Sequence, residues 1–396
     1  MPWFAFFRRA RILRLFVFFD MAEETVVHAI TLAPMERLGI VGLPNAGKSA
    51  LFNALTGGNA LVASHPFSTT ETNVGIARVA DGRLDALAEM SRSKKVVHAT
   101  VELVDIAGLV AGASSGEGLG NRFLAGIREV DAVILVLRAF ESDEVVGGHD
   151  PLDDLHTLEL ELVLADAASV EGLLHRRRKA AKNDKQAAAD VPVLEAALDV
   201  LNAGTPVYRS SLTAEQRAAL RPSFLLTNKP VLAVVNLGDD QIQSLNGGSD
   251  AIVKPVASEL GDAAEVLAVS VQLESEAARL DPDERTELLE GLGLGEGALP
   301  RVVRAAYLLL GRRTFLTTGD KESRAWTFRA GAKAPECAGV IHSDLQRGFI
   351  RAEVIRWDEL LGLGSWTAAK EAGRLRVEGK DYEVADGDVL EIRFNV

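Results

Sequence analysis

An α/β fold, built on a parallel-rich sheet with an inserted helical hairpin and a β-rich C-terminal domain, is predicted by three features of this 396-residue chain. Short apolar runs at residues 38–41, 100–104, 132–137, 231–235 and 266–270 alternate with helix-periodic segments, the pattern of buried parallel strands. Residues 152–220 change character to alanine, leucine and charge, with Leu155, Leu158, Leu162, Leu173 and Leu174 at helical intervals. From Arg312 onward, short alternating segments around 324–328, 348–354, 374–377 and 389–394 read as a small β domain.

With 47% hydrophobic and 25% charged residues, the chain buries ample apolar surface and divides into two or three domains. Its formal charge of −13 repels nucleic acid at long range, so a DNA partner is not expected and any RNA contact must be local. Cys337 is the only cysteine, which excludes an intramolecular disulfide framework or a zinc ribbon. A reducing, cytoplasmic setting is expected, with Cys337 as a small buried hydrophobe. The first 34 residues set Phe4, Phe6, Phe7, Phe16, Phe18 and Phe19 among Arg8, Arg9, Arg11 and Arg14. These apolar runs fall short of the ~20 residues that span a bilayer, so no membrane segment is expected. Met35 is expected to be the start, with a signal or transit segment as the alternative reading of residues 1–34.

Taken in order, the first strand enters Gly42-Leu43-Pro44-Asn45-Ala46-Gly47-Lys48-Ser49, and helical spacing follows from Ala50. Glycines let backbone N–H groups curl around phosphates at a helix N-terminus. Lys48 then reaches the β and γ oxygens of a nucleoside triphosphate, and Ser49 sets its hydroxyl on magnesium. The second strand ends at Asp105-Ile106-Ala107-Gly108. Here Asp105 is expected to hold the metal through water and Gly108 to offer its N–H to the γ-phosphate. Between these motifs lies Pro66-Phe67-Ser68-Thr69-Thr70-Glu71, where Thr69, or else Thr70, completes the magnesium shell. The chemistry implied is phosphoryl transfer to water, driven by positioning and charge. Leu109 occupies the place where Ras-like enzymes carry a water-orienting glutamine, so turnover should be slow. Asn45 is a candidate ligand for a potassium ion beside the phosphates.

For the base, Asn236-Leu237-Gly238-Asp239 follows a strand, and Asp239 is the residue type that accepts guanine's N1 and N2 protons. Ser270, at the end of the next strand, is expected to supply the loop that backs the base. Asn228-Lys229-Pro230 precedes its strand and is set aside. The hairpin carries His175-Arg176-Arg177-Arg178-Lys179, then Lys182 and Lys185, either a contact for RNA phosphates or a solvated helix face. Gly291 to Gly297 forms a loop before a helix near 301–310. In the tail, Arg312, Arg313, Arg324, Arg329, Lys333, Arg347 and Arg351 are locally basic, though Glu336, Asp344 and Glu353 dilute them.

The stretches GLPNAGKSALFNALTG, HPFSTTETNVG, DIAGLVAGASSGEGLGNRFLAGIREVDA and EGKDYEVADGDVLEIRFNV resemble the YchF or Obg-like ATPase family from about Arg37 to Val396. The resemblance implies an OBG-type G domain over 35–151 and 221–310, a helical coiled-coil insertion over 152–220, and a TGS domain of β-grasp form over 312–395. It implies ATP in preference to GTP, magnesium, and a ribosome or ribosomal subunit as partner. By that resemblance nucleotide contacts fall on Asn45, Ala46, Gly47, Lys48, Ser49 and Ala50, and metal contacts on Ser49 and Thr69; Asn236, Leu237, Asp239 and Ser270 stay the candidates for the base and Asp105 for the metal on the reading of the residues above. Asp239 departs from the family's glutamate, and Ala50 from its threonine. The family's histidine after the pair matching Val145-Val146 is replaced by Gly147, leaving His149 as either its catalytic substitute or a surface-loop residue. The expected activity is an ATPase switch; a GTPase of the same build and a binding module with negligible hydrolysis are the rivals.

Overall fold

The computed structural model describes residues 36–57, 61–62, 73–106, 119–141, 149–243 and 249–395; the N-terminal extension and Met35 lie outside them. Among these, two compact units form: residues 36–80 with 100–311, and residues 81–99 with 312–395.

The larger unit is organised by seven described strands: β1 (Arg37–Gly42), β2 (Leu61–Val62), β3 (Asn73–Arg78), β5 (Thr100–Asp105), β6 (Ala132–Arg138), β7 (Val231–Asn236) and β8 (Ala264–Val269). Their order is β2-β3-β5-β1-β6-β7-β8. From β5 to β8 every neighbouring pair is parallel, while β3 runs antiparallel to β5 and β2 to β3. Every residue of β6 and β7 is buried, which is why these strands read as unbroken apolar runs. The five parallel strands end on one edge, so whatever follows each of them is brought together.

Helix Pro151–Ala180 starts by rule: the Asp150 side chain accepts from Leu152 N at 2.9 Å, proline occupies the first turn, and Asp153 and Asp154 meet the positive helix end. Its first half packs Leu155, Leu158 and Leu162 into the core beneath the sheet, with Val133, Leu135 and Val235. Its second half packs Val170 and Leu174 against Leu194, Ala197 and Leu201 of helix Lys185–Asn202. One continuous helix, beginning where the hairpin was expected to begin, therefore serves both cores.

The smaller unit holds a six-stranded sheet of β4 (Lys95–Val97), β9 (Arg312–Thr317), β10 (Glu322–Arg329), β11 (Phe349–Arg356), β12 (Arg376–Glu378) and β13 (Asp388–Phe394), ordered β12-β11-β13-β9-β10-β4. β13 runs parallel to β9 between antiparallel pairs, and helix Ala334–Ile341 packs over Phe315, Phe328 and Val354, the β-grasp arrangement. Helix Gly82–Ser91 also belongs here. It buries Leu84 and Leu87 fully, roughly 1.5–3 kcal/mol each. Hydroxyls close the junction: Thr318 Oγ1 lies 3.1 Å from Leu87 O and 2.7 Å from Ser91 Oγ, and Ser93 Oγ donates to Gly319 O (2.6 Å). At its start, Arg83 bridges Asp81 and Asp386. Residues 81–99, expected within the nucleotide domain, thus complete the C-terminal one. Their apolar face matches β10, which sequence distance conceals.

Among the described residues no helix is long and apolar enough to cross a membrane. Cys337 is fully buried in the smaller core, and burial pushes its thiol up to about 12. A thiol so protonated is a poor nucleophile. Native protein at about pH 8 should therefore take up no iodoacetamide over minutes, by mass spectrometry, and one equivalent once unfolded in guanidinium.

Candidate nucleotide-binding site

The loop after β1 folds tightly because its sequence permits it. Asn45 adopts φ 61 and Gly47 φ 95, both left-handed, and Gly47 leads directly into helix Lys48–Thr56. A Cβ on Gly42 would sit 2.5 Å from Val136 O, and one on Gly47 2.3 Å from Asn236 Nδ2. Both glycines are fixed by close approach, and Gly47 by conformation as well. Asn45, Ser49 and Ala50 are exposed along the loop, while Ala46 is buried beneath it.

Lys48 is 7% exposed and donates from Nζ to Leu43 O at 2.7 Å. Burial draws its pKa below the usual lysine value, and the nearby carboxylates of Asp105 and Asp154 oppose that shift. Ser49 Oγ donates to Asp105 Oδ2 at 2.8 Å, so the hydroxyl and carboxylate expected around magnesium meet where the first turn of helix Lys48–Thr56 faces the end of β5. Both are hard oxygen donors suited to that ion. Thr69, Thr70, Gly108 and Leu109 lie outside the described residues.

Asn236 ends β7 and is 4% exposed. Its Nδ2 donates to Ala46 O at 3.0 Å and its Oδ1 accepts from Val271 N at 3.1 Å. The expected base reader is thus the staple joining the phosphate loop to the loop after β8. Asp239 stands beyond it, its Oδ1 accepting from Ser270 Oγ at 2.6 Å. Ser270 is fully buried and also accepts from Leu273 N at 3.1 Å, capping helix Val271–Ala277. Leu237 N donates to Val269 O at 2.8 Å, which turns this segment across the sheet edge. Together these walls enclose a cleft of about 820 Å³ whose lining includes Gly47, Ala50, Asn53, Phe140, Leu237 and Asp239.

Sequence reasoning missed the wall after β6. Backbone N–H groups of Ala139 and Phe140 donate to Asn236 O at 2.9 and 3.2 Å, and Gln241 Nε2 to Ala139 O at 3.0 Å. Arg138, 5% exposed, places its guanidinium 4.8 Å from the centroid of the Phe140 ring and donates from Nε to Phe140 O at 3.1 Å. Its backbone N–H donates to Asp154 Oδ2 at 2.9 Å. Burial raises the Asp154 pKa, an effect that this N–H and the Arg138 charge partly reverse. The available signal was a lone arginine closing an otherwise apolar strand, two residues before an aromatic.

The remaining candidates lie apart. His149 is about half exposed and pairs with Glu141 at 3.1 Å among the described residues. Asn228 Nδ2 donates to Arg217 O, and Lys229 Nζ to the Val130 and Arg128 carbonyls, so that tripeptide anchors backbone at the start of β7.

A strand–loop–helix phosphate cradle and a serine–aspartate pair beneath it, opening on a cleft roomy enough for a nucleotide, define the P-loop nucleotide-binding class. Comparisons agree with this class. Residues 37–161 match the family described as 50S ribosome-binding GTPase, and residues 313–395 the YchF GTPase C-terminal family, described as a protein of unknown function. The chain is 47% identical to the ribosome-binding ATPase YchF of Bacillus subtilis, over 90% of this chain and 99% of that one. It is 48% identical to that of Haemophilus influenzae, over 91% and 99%. A solved structure of the Schizosaccharomyces pombe YchF GTPase superposes with TM-score 0.79 at 31% identity, covering 90% of this chain and 97% of that one. The chain belongs to the YchF family.

Two substitutions test this geometry. Gly47→Ala should cost about 100-fold in nucleotide affinity by calorimetry, since a left-handed alanine would also break the Asn236–Ala46 bond. Arg138→Ala should raise the nucleotide Kd about threefold to thirtyfold by freeing the Phe140 wall, and Arg138→Lys should restore part of it.

Proposed function

We propose that this chain hydrolyses ATP, and some GTP, to the diphosphate and phosphate, and that the bound nucleotide switches its association with ribosomes in the cytoplasm. The observation that carries this reading is the meeting of Lys48, Ser49 and Asp105 under a loop shaped for phosphate. In it, Lys48 turns from the Leu43 carbonyl to the phosphate oxygens and stabilises charge there. Ser49 would hold magnesium directly and Asp105 through water, with Thr69 as the further hydroxyl. Magnesium, when bound, neutralises negative charge between the phosphates. Gly108 would supply an N–H to the γ-phosphate, Asn45 would help hold potassium, and Leu109 would leave the attacking water without a side-chain director. The partner follows from the relatives, which are named ribosome-binding ATPases.

A GTPase reading is favoured by one observation. Ser270 fixes Asp239 through Oδ1 in the wall of the cleft, and a carboxylate there can accept guanine protons that adenine lacks.

Phosphate release from ATP and GTP with magnesium, in potassium and in sodium chloride, tests both. Slow ATP turnover that is faster in potassium is expected, with Lys48→Ala reducing it at least about 100-fold. A preference for GTP above about tenfold would reverse the choice of base. Ribosome co-sedimentation that Lys48→Ala leaves unchanged in every nucleotide state would instead identify a binding module.

A further inference from the structure

We propose that the turn of the helical hairpin, between helices Pro151–Ala180 and Lys185–Asn202, docks on an RNA phosphate backbone through Arg176, Lys179, Lys182 and Lys185. This inference rests on the ribosome-binding reading above and assigns a surface to it. In a chain of net charge −13, residues 175–185 carry six lysines and arginines against one acid, Asp184. That acid is engaged, its side chain capping the second helix through Gln186 N at 2.8 Å and Ala187 N at 3.3 Å.

The six cations divide by what they touch. Arg177 pairs with Asp190 at 3.2 Å and Arg178 with Glu195 at 2.6 Å, both clasping the two helices together. Arg176, Lys179, Lys182 and Lys185 are exposed and carry no ion pair among the described residues. Helix stability explains cations in the last turn of the first helix, where they meet its negative end. It does not explain Lys182, which lies beyond that helix, and it opposes Lys185, which opens the second helix at its positive end. A positive charge kept where local electrostatics disfavour it, within a cluster on an otherwise acidic protein, matches a polyanionic surface. At 1.5 Å per residue the turn stands roughly 40 Å along the helix from Asp154, so it can engage RNA without touching the nucleotide cleft.

Binding of the full chain to purified ribosomes and to a short fluorescent RNA hairpin, across a salt titration, tests the assignment. The variant R176Q/K179Q/K182Q/K185Q should lose affinity for both and flatten the slope of log K against log salt by roughly 3, while hydrolysing ATP at the wild-type rate. The K179R/K182R/K185R variant should keep the wild-type slope. An unchanged slope in the glutamine variant would overturn the proposal, leaving ribosome binding itself intact. Loss of ribosome affinity when even the wild-type chain ignores the RNA hairpin would overturn it in favour of an acidic protein surface. If the wild-type chain binds the hairpin through these four residues but not ribosomes, the turn stands as an RNA contact and the ribosome reading fails.

Discussion

The site depends on the few hydrogen bonds around Asn236. Its side chain ties the phosphate loop at Ala46 to Val271 beyond β8, and its carbonyl receives the N–H groups of Ala139 and Phe140 beyond β6. Segments at four strand ends therefore meet at one buried residue. In such a place an unmade bond costs about 1–3 kcal/mol, so the bonds hold or fail together. The glycine at 47 follows from the same contact, because the asparagine amide occupies the space a side chain would need.

Charge burial adds a second constraint. Lys48 is drawn out of water, and Asp105 and Asp154 keep its charge tolerable. They come from different parts of the fold: Asp105 ends a strand beside the phosphate loop, while Asp154 opens the long helix of the hairpin. Through the Arg138 N–H, Asp154 also touches the strand that carries the Phe140 wall. Phosphate loop, cleft wall and helical hairpin thus share one electrostatic arrangement.

Much of this was legible in the chain. The phosphate loop announces itself because backbone curvature needs glycine at fixed spacing, and the five parallel strands because two-sided burial demands unbroken apolar runs. Asp105 and Ser49 could be paired from their places after strand and loop alone. What stayed hidden depends on contacts across the fold. Asn236 was legible as a site residue, but its role as a staple required knowing that Ala46 and Val271 flank it. Arg138 and Asp154 look like ordinary charges until β6 and the long helix are set side by side. Residues 81–99 were assigned to the nucleotide domain because sequence proximity is a poor guide where a helix pairs with strands far along the chain.

That last feature bears on how the protein is made. The apolar face of helix Gly82–Ser91 emerges during synthesis well before the sheet that covers it, with roughly 210 residues between Ala99 and Arg312. At roughly 5–20 residues per second the delay is on the order of 10–40 s, during which Leu84 and Leu87 have no native cover. The smaller unit can close only after the larger has been synthesised. Within the described residues the chain also passes between the units three times, so no single cut releases either one whole.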